Sequence, residues 1–321
     1  MSELVTIGVP VFHGAEFLDE TVESILAQTH SDWECIFSVD GPDPVCEELC
    51  GKYLVDPRFR LSVQPQRVGW LQNIGWLQQQ AKGEFWCYQQ QDDLLDPMYI
   101  EVLLGHARAW PGAAVVYCDI ETFGNREMRF VRPSVVGSPI GRFLSILTDQ
   151  FAGVAFRGLT RVTALRDTGG GIVENDVENF AAETVWIGTM ATWGELIHVP
   201  ETLYRKRYHD RNVHSLWMEW EIEERSVAWV AHCHDLLEVA TRISAHQSER
   251  WMLWFATLIR LTSSRATPYL PWSEFTPSDR IALIDALLAR AHDLQRIELP
   301  TWLSAASDEI RDRSIVFASE R

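Results

Sequence analysis

The chain contains no GxGxxG, no phosphate-binding P-loop, no HExxH and no GxSxG. The dinucleotide dehydrogenases, P-loop NTPases, zincins and α/β-hydrolases therefore lose their sequence support. Positive charge is scarce: 28 Lys and Arg stand against 45 Asp and Glu, a net charge of −17. Binding to nucleic acid draws its energy from clustered cations that neutralise phosphates, so a general nucleic-acid partner is excluded. No apolar run approaches the roughly 20 residues that span a bilayer. The opening MSELVTIGVPVF has neither the basic start nor the long apolar stretch of a signal peptide, which points to a soluble, cytoplasmic protein. The six cysteines follow no paired spacing. Cys46-x3-Cys50 and His232-Cys233-His234 match no zinc motif, so neither a disulfide framework nor a zinc site is expected. Internal repeats and low-complexity segments are absent as well.

What the 321 residues do hold, at 46% hydrophobic, is an alternation of short apolar runs with helical patterns from Leu4 to about residue 120. Leu4–Val9, Cys35–Val39, Arg60–Val63, Phe85–Tyr88 and Ala113–Tyr117 read as strands, with helices over Phe17–Gln28, Gly69–Ala81 and Pro97–Trp110 between them. This alternation predicts an α/β fold with a mainly parallel sheet sandwiched by helices, whose ligands sit beyond the carboxyl ends of the strands. The pattern weakens over 125–149, and 158–178 reads as loops rich in Gly, Asp, Asn and Thr. From Val213 onward only helical periodicities remain, first along Trp217, Trp220, Val227, Val230, Leu237 and Ala240, then over Glu249–Leu261. A final helix, capped by Ser278-Asp279, runs to Ala291. The expected organisation is a ligand-binding domain over 1–212 and an all-helical C-terminal region over 213–321.

Two features fall just past strand ends: Asp40, and the run Gln89-Gln90-Gln91-Asp92-Asp93. A carboxylate pair on a loop after a buried strand can hold a hard divalent cation, Mn²⁺ or Mg²⁺, which in turn binds the phosphates of a nucleotide. The same pair ahead of Leu94-Leu95-Asp96-Pro97 can instead cap a helix. The stretch Gly83–Pro97, the opening Thr6-Ile7-Gly8-Val9-Pro10-Val11-Phe12-His13-Gly14 with the helix end Ser24–Thr29, and Ser38-Val39-Asp40-Gly41 together resemble the family 2 nucleotide-sugar glycosyltransferases of GT-A fold. Val68-Gly69, Asn73, Gly153–Arg157 and Leu203–His209 extend the resemblance over residues 4 to 212.

The resemblance implies that Pro10, Val11 and Asp40 line the nucleobase and ribose pocket, that Asn73, Gln90 and Gln91 belong to the donor site, and that Asp92 is the metal carboxylate. Asp93 and His209 are further metal candidates. The sequence departs from the family where Gln90 replaces the leading Asp of DxD, because an amide adds no charge to a metal site. Inversion needs a general base for the acceptor hydroxyl. The family's acidic pair falls here on Glu183-Thr184, which selects Glu183 as base, with Asp176 and Glu178 as fallbacks. Arg205-Lys206-Arg207-Tyr208-His209-Asp210-Arg211 gathers four cations in seven residues, and Arg205 and Arg207 are the expected clamp on a diphosphate.

The reading is an inverting transfer of sugar from a nucleoside diphosphate sugar, UDP-sugar favoured, to an acceptor hydroxyl or amine. A non-catalytic GT-A-like nucleotide-binding or scaffold protein is the alternative. A nucleotidyltransferase ranks last, because the loop Pro10–Gly14 carries no cation. Seven of the 14 Trp lie in 213–321, which suits an acceptor cover, a homodimer interface or both. That segment has 11 Arg, no Lys and 16 acidic residues, a balance that disfavours contact with anionic lipid.

Overall fold

The computed structural model describes residues 3–148, 153–169, 171–210, 212, 217, 219–262, 270 and 275–292. Arg211 of the basic segment lies outside them. Four parallel strands open the fold: β1 (Val5–Val11), β2 (Trp33–Val39), β3 (Phe59–Val63) and β4 (Phe85–Tyr88), in the spatial order β3-β2-β1-β4. Helices α1 (Leu18–Leu26), α2 (Pro44–Gly51) and α3 (Trp70–Gln79) connect them. Strands β1, β2 and β4 are largely apolar because they are covered on both faces, whereas the edge strand β3 is mostly half-buried; every residue of β1 except Pro10 is buried. Strand β1 extends through Pro10 to Val11 rather than stopping at Val9. Gly8 and Tyr88 form the last β1–β4 pair, so Pro10 lies where its neighbour has already peeled away and no ladder N–H is missed.

The sheet continues as β4-β8-β6-β9-β5, with β7 paired to β6. Its members are β5 (Leu94–Leu95), β6 (Ala113–Gly124), β7 (Arg129–Phe130), β8 (Leu159–Arg161) and β9 (Glu195–Tyr208), interleaved with α4 (Tyr99–Ala109), α5 (Pro139–Thr148), α6 (Val162–Asp167) and α7 (Ala182–Trp193). Strand β8 lies antiparallel between β4 and β6, inside the stretch expected to be loop. Three residues are too few to show a period. Strand β6 runs seven residues beyond Tyr117, pairing with β9 through register shifts around Asp119 that interrupt its apolar pattern. Helix α5 fills part of 125–149 and buries Phe143, Ile146 and Leu147.

Three helices follow: α8 (Ile222–Ile243), α9 (Gln247–Thr262) and α10 (Pro277–His292). The cap of α10 is Thr276 rather than Ser278: Asp279 N donates to Thr276 Oγ1 (3.2 Å) while Asp279 Oδ2 accepts from Thr276 N (2.7 Å). These helices share cores with the first part of the chain. Phe143, Leu147 and Val185 pack with Leu236, Val239, Ala240, Leu253 and Ala256, while Phe180 packs with Trp217, Trp229 and Trp254. Helices α5 and α7 thus join the sheet to the helical region, and α7 carries Glu183.

Candidate active site

The loop after β4 is built from its own side chains. Gln89 is fully buried and donates through Nε2 to the carbonyls of Asp93 (2.7 Å) and Gln90 (3.0 Å). Thr21 on α1 reaches the carbonyls of Gln91 (2.8 Å) and Asp93 (3.1 Å). Gln91 is spent on the loop after β1: its Oε1 accepts from Phe12 N (2.8 Å) and its Nε2 donates to Phe12 O (2.9 Å). A Cβ on Gly14 would fall 2.0 Å from that Oε1, so a side chain there would displace the Gln91 amide from the Phe12 backbone.

The two aspartates part ways. Asp93 points inward and is 1% exposed. It accepts from Tyr204 Oη (2.8 Å) and from Arg207 N (2.8 Å), and Arg157 Nε lies 3.5 Å away. Burial and the neighbouring Asp92 push its carboxyl up to about 6, against the pull of Arg157, Lys206 and the Arg207 amide. Asp92 faces the site, where His209 Nε2 stands 2.7 Å from its Oδ2. The ring of Phe17 stacks on His209, centroids 5.2 Å apart.

Behind this pair sits a cluster that motif reading left unassigned. Arg157 ends the short turn Ala155–Arg157 before β8; its guanidinium donates to Gln90 Oε1 and to Gly153 O (3.3 Å). Gln90 therefore presents its amide oxygen to an arginine. Glu183 lies in the first turn of α7 against Gly153, where an added Cβ would stand 2.9 Å from Glu183 Cγ. Its Oε2 is buried and has no hydrogen-bond partner among the described residues. Burial raises its pKa above the usual carboxylate value, against its own backbone N–H and the cations Arg157 and Lys206. The backbone leading into it is left-handed at Glu178 (φ 51°), Asn179 (φ 62°) and Ala181 (φ 50°), a concentration of strain of the kind that marks functional segments. Lys206 on β9 completes the group. Burial and Arg157 push its ammonium down to about 8, while Asp93, Glu183 and Asp92 hold it up.

Other expected residues sit at the rim or in supporting roles. Pro10 and Val11 end β1. Asp40 directs its carboxylate at the turn before α3, accepting from Val68 N (2.6 Å) and Gly69 N (3.0 Å). Asn73 is buried and tied to β2 by Nδ2 donating to Ser38 O (2.8 Å), with Ser38 Oγ donating to its Oδ1 (2.5 Å). Arg205 is not brought to the cluster. Successive strand residues face opposite ways, and Arg205 is exposed, over the Phe123 ring (4.7 Å) with Glu121 at 3.9 Å. Arg207 reaches the loop but is committed there, with Nε donating to Asp92 O (3.0 Å) and Nη2 to Glu20 (2.6 Å). Of the fallback bases, Asp176 pairs with Arg290 (3.0 Å) and Glu178 is exposed. Thr184 is buried. Sequence reasoning missed Arg157 and Lys206. Their signals were an arginine in the otherwise uncharged Gly153–Gly158 segment, and one of only three lysines beside 25 arginines.

The donor set suits a divalent cation of the Mn²⁺ or Mg²⁺ kind. Such ions are commonly held by one or two protein groups, with substrate phosphates and water completing the shell, and Asp92 with His209 offers that number. The imidazole favours Mn²⁺, the softer of the two. Asp93 is not a third ligand, since its oxygens are engaged by Tyr204 and Arg207, and the described residues hold no cluster of three His, Cys, Asp or Glu able to bind a metal.

A mixed, mostly parallel sheet with a short loop after β1, an acidic loop after β4 and an acidic helix start on α7 matches a GT-A fold. Residues 6–163 match the family model of Glycosyl transferase family 2, and this part of the chain belongs to that family. The glycosyltransferase GlyG of Streptococcus pneumoniae is 34% identical over 104 residues, 32% of this chain and 35% of that protein. An uncharacterized glycosyltransferase of Rickettsia typhi is 30% identical over 135 residues, 41% and 42% of the two chains. The chain thus spans well under half the length of these relatives. Among solved structures, Staphylococcus aureus TarS residues 1–349 in complex with UDP-GlcNAc superposes with a TM-score of 0.60 at 12% identity, covering 91% of this chain and 89% of that one. The mannosyltransferase PcManGT of Pyrobaculum calidifontis, in complex with GDP-Man and Mn²⁺, gives 0.51 at 16% identity over 90% and 87%. At such identities the likeness concerns the fold. No helix among the described residues is long and apolar enough to cross a membrane.

Proposed function

We propose that the chain is an inverting glycosyltransferase that moves a sugar from a nucleoside diphosphate sugar to an acceptor hydroxyl or amine. The observation that carries this reading is Glu183: a buried carboxylate oxygen without a partner, on a carboxyl made more basic by burial, in the cluster that Asp92 and Asp93 border. Glu183 takes the proton of the acceptor hydroxyl as its oxygen forms a bond to the anomeric carbon. The bond from that carbon to the diphosphate oxygen breaks on the opposite face, and its electron pair leaves with the nucleoside diphosphate. Asp92 and His209 would hold a divalent cation, which would neutralise the departing diphosphate. Strand end β1, Asp40 and the turn at Val68-Gly69 frame the place for the nucleoside. Asp40 reaches it through that turn, holding the Val68 and Gly69 amides in position.

A UDP-sugar is the favoured donor, in keeping with the UDP-GlcNAc complex of TarS; the GDP-Man complex of PcManGT makes GDP-sugars the comparison arm. A cytoplasmic location, where thiols stay reduced, suits six cysteines that are all buried and free. The division into a transferase domain over 1–212 and a helical region over 213–321 is retained as a functional one. Met252, Phe255 and Ile259 stand exposed along α9, which supports dimerisation or an acceptor cover for that region. The test is incubation with UDP-, GDP- and dTDP-sugars and Mn²⁺, following nucleoside diphosphate release and the anomeric configuration of the product. Release that depends on acceptor and on Glu183, with inversion, is the expected result. One observation favours the scaffold alternative: Gln90 is engaged with Arg157, leaving a single loop carboxylate for metal. Calorimetric nucleotide binding without turnover, across acceptor panels, would select it.

A further inference from the structure

Resting on the nucleotide-sugar reading, we propose that Lys206 is a diphosphate-binding residue of this chain, which with Arg157 lets the site hold a nucleoside diphosphate without a metal ion. Three observations support it. The first is availability. Arg205 and Arg207 flank Lys206 but are committed elsewhere, Arg205 beside Glu121 and over Phe123, Arg207 to Glu20 and the Asp92 carbonyl. Lys206 has no ion pair or hydrogen bond among the described residues, and its Nζ stands 4.9 Å from the Tyr208 ring.

The second is direction. Tyr204, two residues earlier on the same face of β9, reaches Asp93 with its hydroxyl (2.8 Å), and alternate strand residues share a face. In keeping with that direction, the charges that act on the ammonium are those of Arg157, Asp93, Glu183 and Asp92. The third is charge. The familiar second carboxylate is replaced by Gln90, whose amide accepts from Arg157, so the loop is one negative charge poorer and leaves more of Arg157's charge for an anion. A lysine ammonium is a compact point charge with three rotatable donors, able to follow a diphosphate whose oxygens move as the bond to the sugar breaks. The chain otherwise uses arginine for 25 of its 28 basic residues.

The experiment is calorimetric titration of the full chain with UDP, and with GDP in parallel, in EDTA and in Mn²⁺. Wild type is expected to bind one of them in both buffers. Lys206→Met should lose roughly 10- to 100-fold in affinity in EDTA, the range for one charge-assisted contact, and less in Mn²⁺. Lys206→Arg should restore most of the loss, and unchanged thermal melting of the free variants separates binding from folding. Equal affinity of wild type and Lys206→Met in EDTA overturns the inference, as does wild-type binding that vanishes in EDTA. Either result leaves the nucleotide-sugar reading standing, because binding in Mn²⁺ persists. Failure of wild type to bind either nucleotide in either buffer overturns that reading and this inference together.

Discussion

On the proposed mechanism, replacing Glu183 by Gln removes the general base while keeping its volume, and the surroundings of this residue set what should follow. The side chain packs on Gly153, its Oε2 is buried without a partner, and burial raises its pKa. A positioned general base contributes about 10²–10⁴-fold, so Glu183→Gln should lower kcat by that factor, about 2.7–5.4 kcal/mol of transition-state stabilisation. Donor KM should change little, because the place proposed for the nucleoside lies at β1, β2 and the turn before α3. The base works only when deprotonated, so wild-type kcat/KM should rise with pH through a limb placed above the ordinary glutamate value, and the variant should lose that limb. Stability should move the other way. A carboxyl whose folded pKa is raised binds its proton more tightly when folded, so its contribution is present below the unfolded pKa and is lost as pH rises through the folded one. Glu183→Gln should therefore melt higher than wild type at neutral pH. Stopped assays of nucleoside diphosphate release across pH, with melting curves on the same preparations, measure both effects. A variant retaining kcat within about threefold, with the acid limb intact, would refute the assignment of the base.

Asp93 offers a second pH test. Its carboxyl is pushed up to about 6, above the ordinary aspartate value of about 3.9, so stability credited to it falls as pH rises between those values. In EDTA, urea denaturation of Asp93→Asn against wild type should shift in the variant's favour by on the order of 3 kcal/mol from pH 4 to pH 7; no shift would show that the buried carboxylate is fully compensated. Gly153→Ala places a methyl 2.9 Å from Glu183 Cγ and should lower kcat at least tenfold by displacing the base, with melting nearly unchanged; wild-type turnover would show that Glu183 need not hold this position. Asp92→Ala and His209→Ala should each weaken Mn²⁺-dependent UDP binding by about 10-fold or more, read by calorimetry. If Mn²⁺ strengthens UDP binding equally in both variants and wild type, the ion lies elsewhere.

The parallel half of the fold is legible because its strands are buried on both faces, so β1, β2 and β4 appear as unbroken apolar runs with loops of Asp, Gly and Pro at their carboxyl ends. What escaped is short or interrupted. Strand β8 has three residues, β6 loses its apolar pattern at Asp119 where the register slips against β9, and α5 hides in a weak stretch because its hydrophobic partners, Leu236, Leu253 and Ala256, lie about a hundred residues away. Periodicity reports that a face is apolar and says nothing of what covers it.

The same limit separates the parts of the site that could be read from those that could not. Asp92, His209 and Glu183 come from the resemblance to the family, because carboxylates after a strand or at a helix start serve equally well as helix caps; the structure sets Asp92 and His209 2.7 Å apart and puts Glu183 in the first turn of α7. Which cation serves the site is a different kind of question. Arg205, Lys206 and Arg207 are equivalent as a charge count, and only the alternation of β9, fixed by Tyr204 on Asp93 and by the carboxylates Glu121 and Glu20 beyond the cluster, separates them. Arg157 was hidden for a related reason: its role depends on Gln90 turning an amide oxygen toward it, a contact across 67 residues. Gln90 read alone subtracts a charge from the metal site. On the proposed reading, Gln90 together with Arg157 and Lys206 transfers part of the work of neutralising a diphosphate from a bound ion to the protein's own cations, and the metal dependence of nucleotide binding becomes the quantity that tests the arrangement.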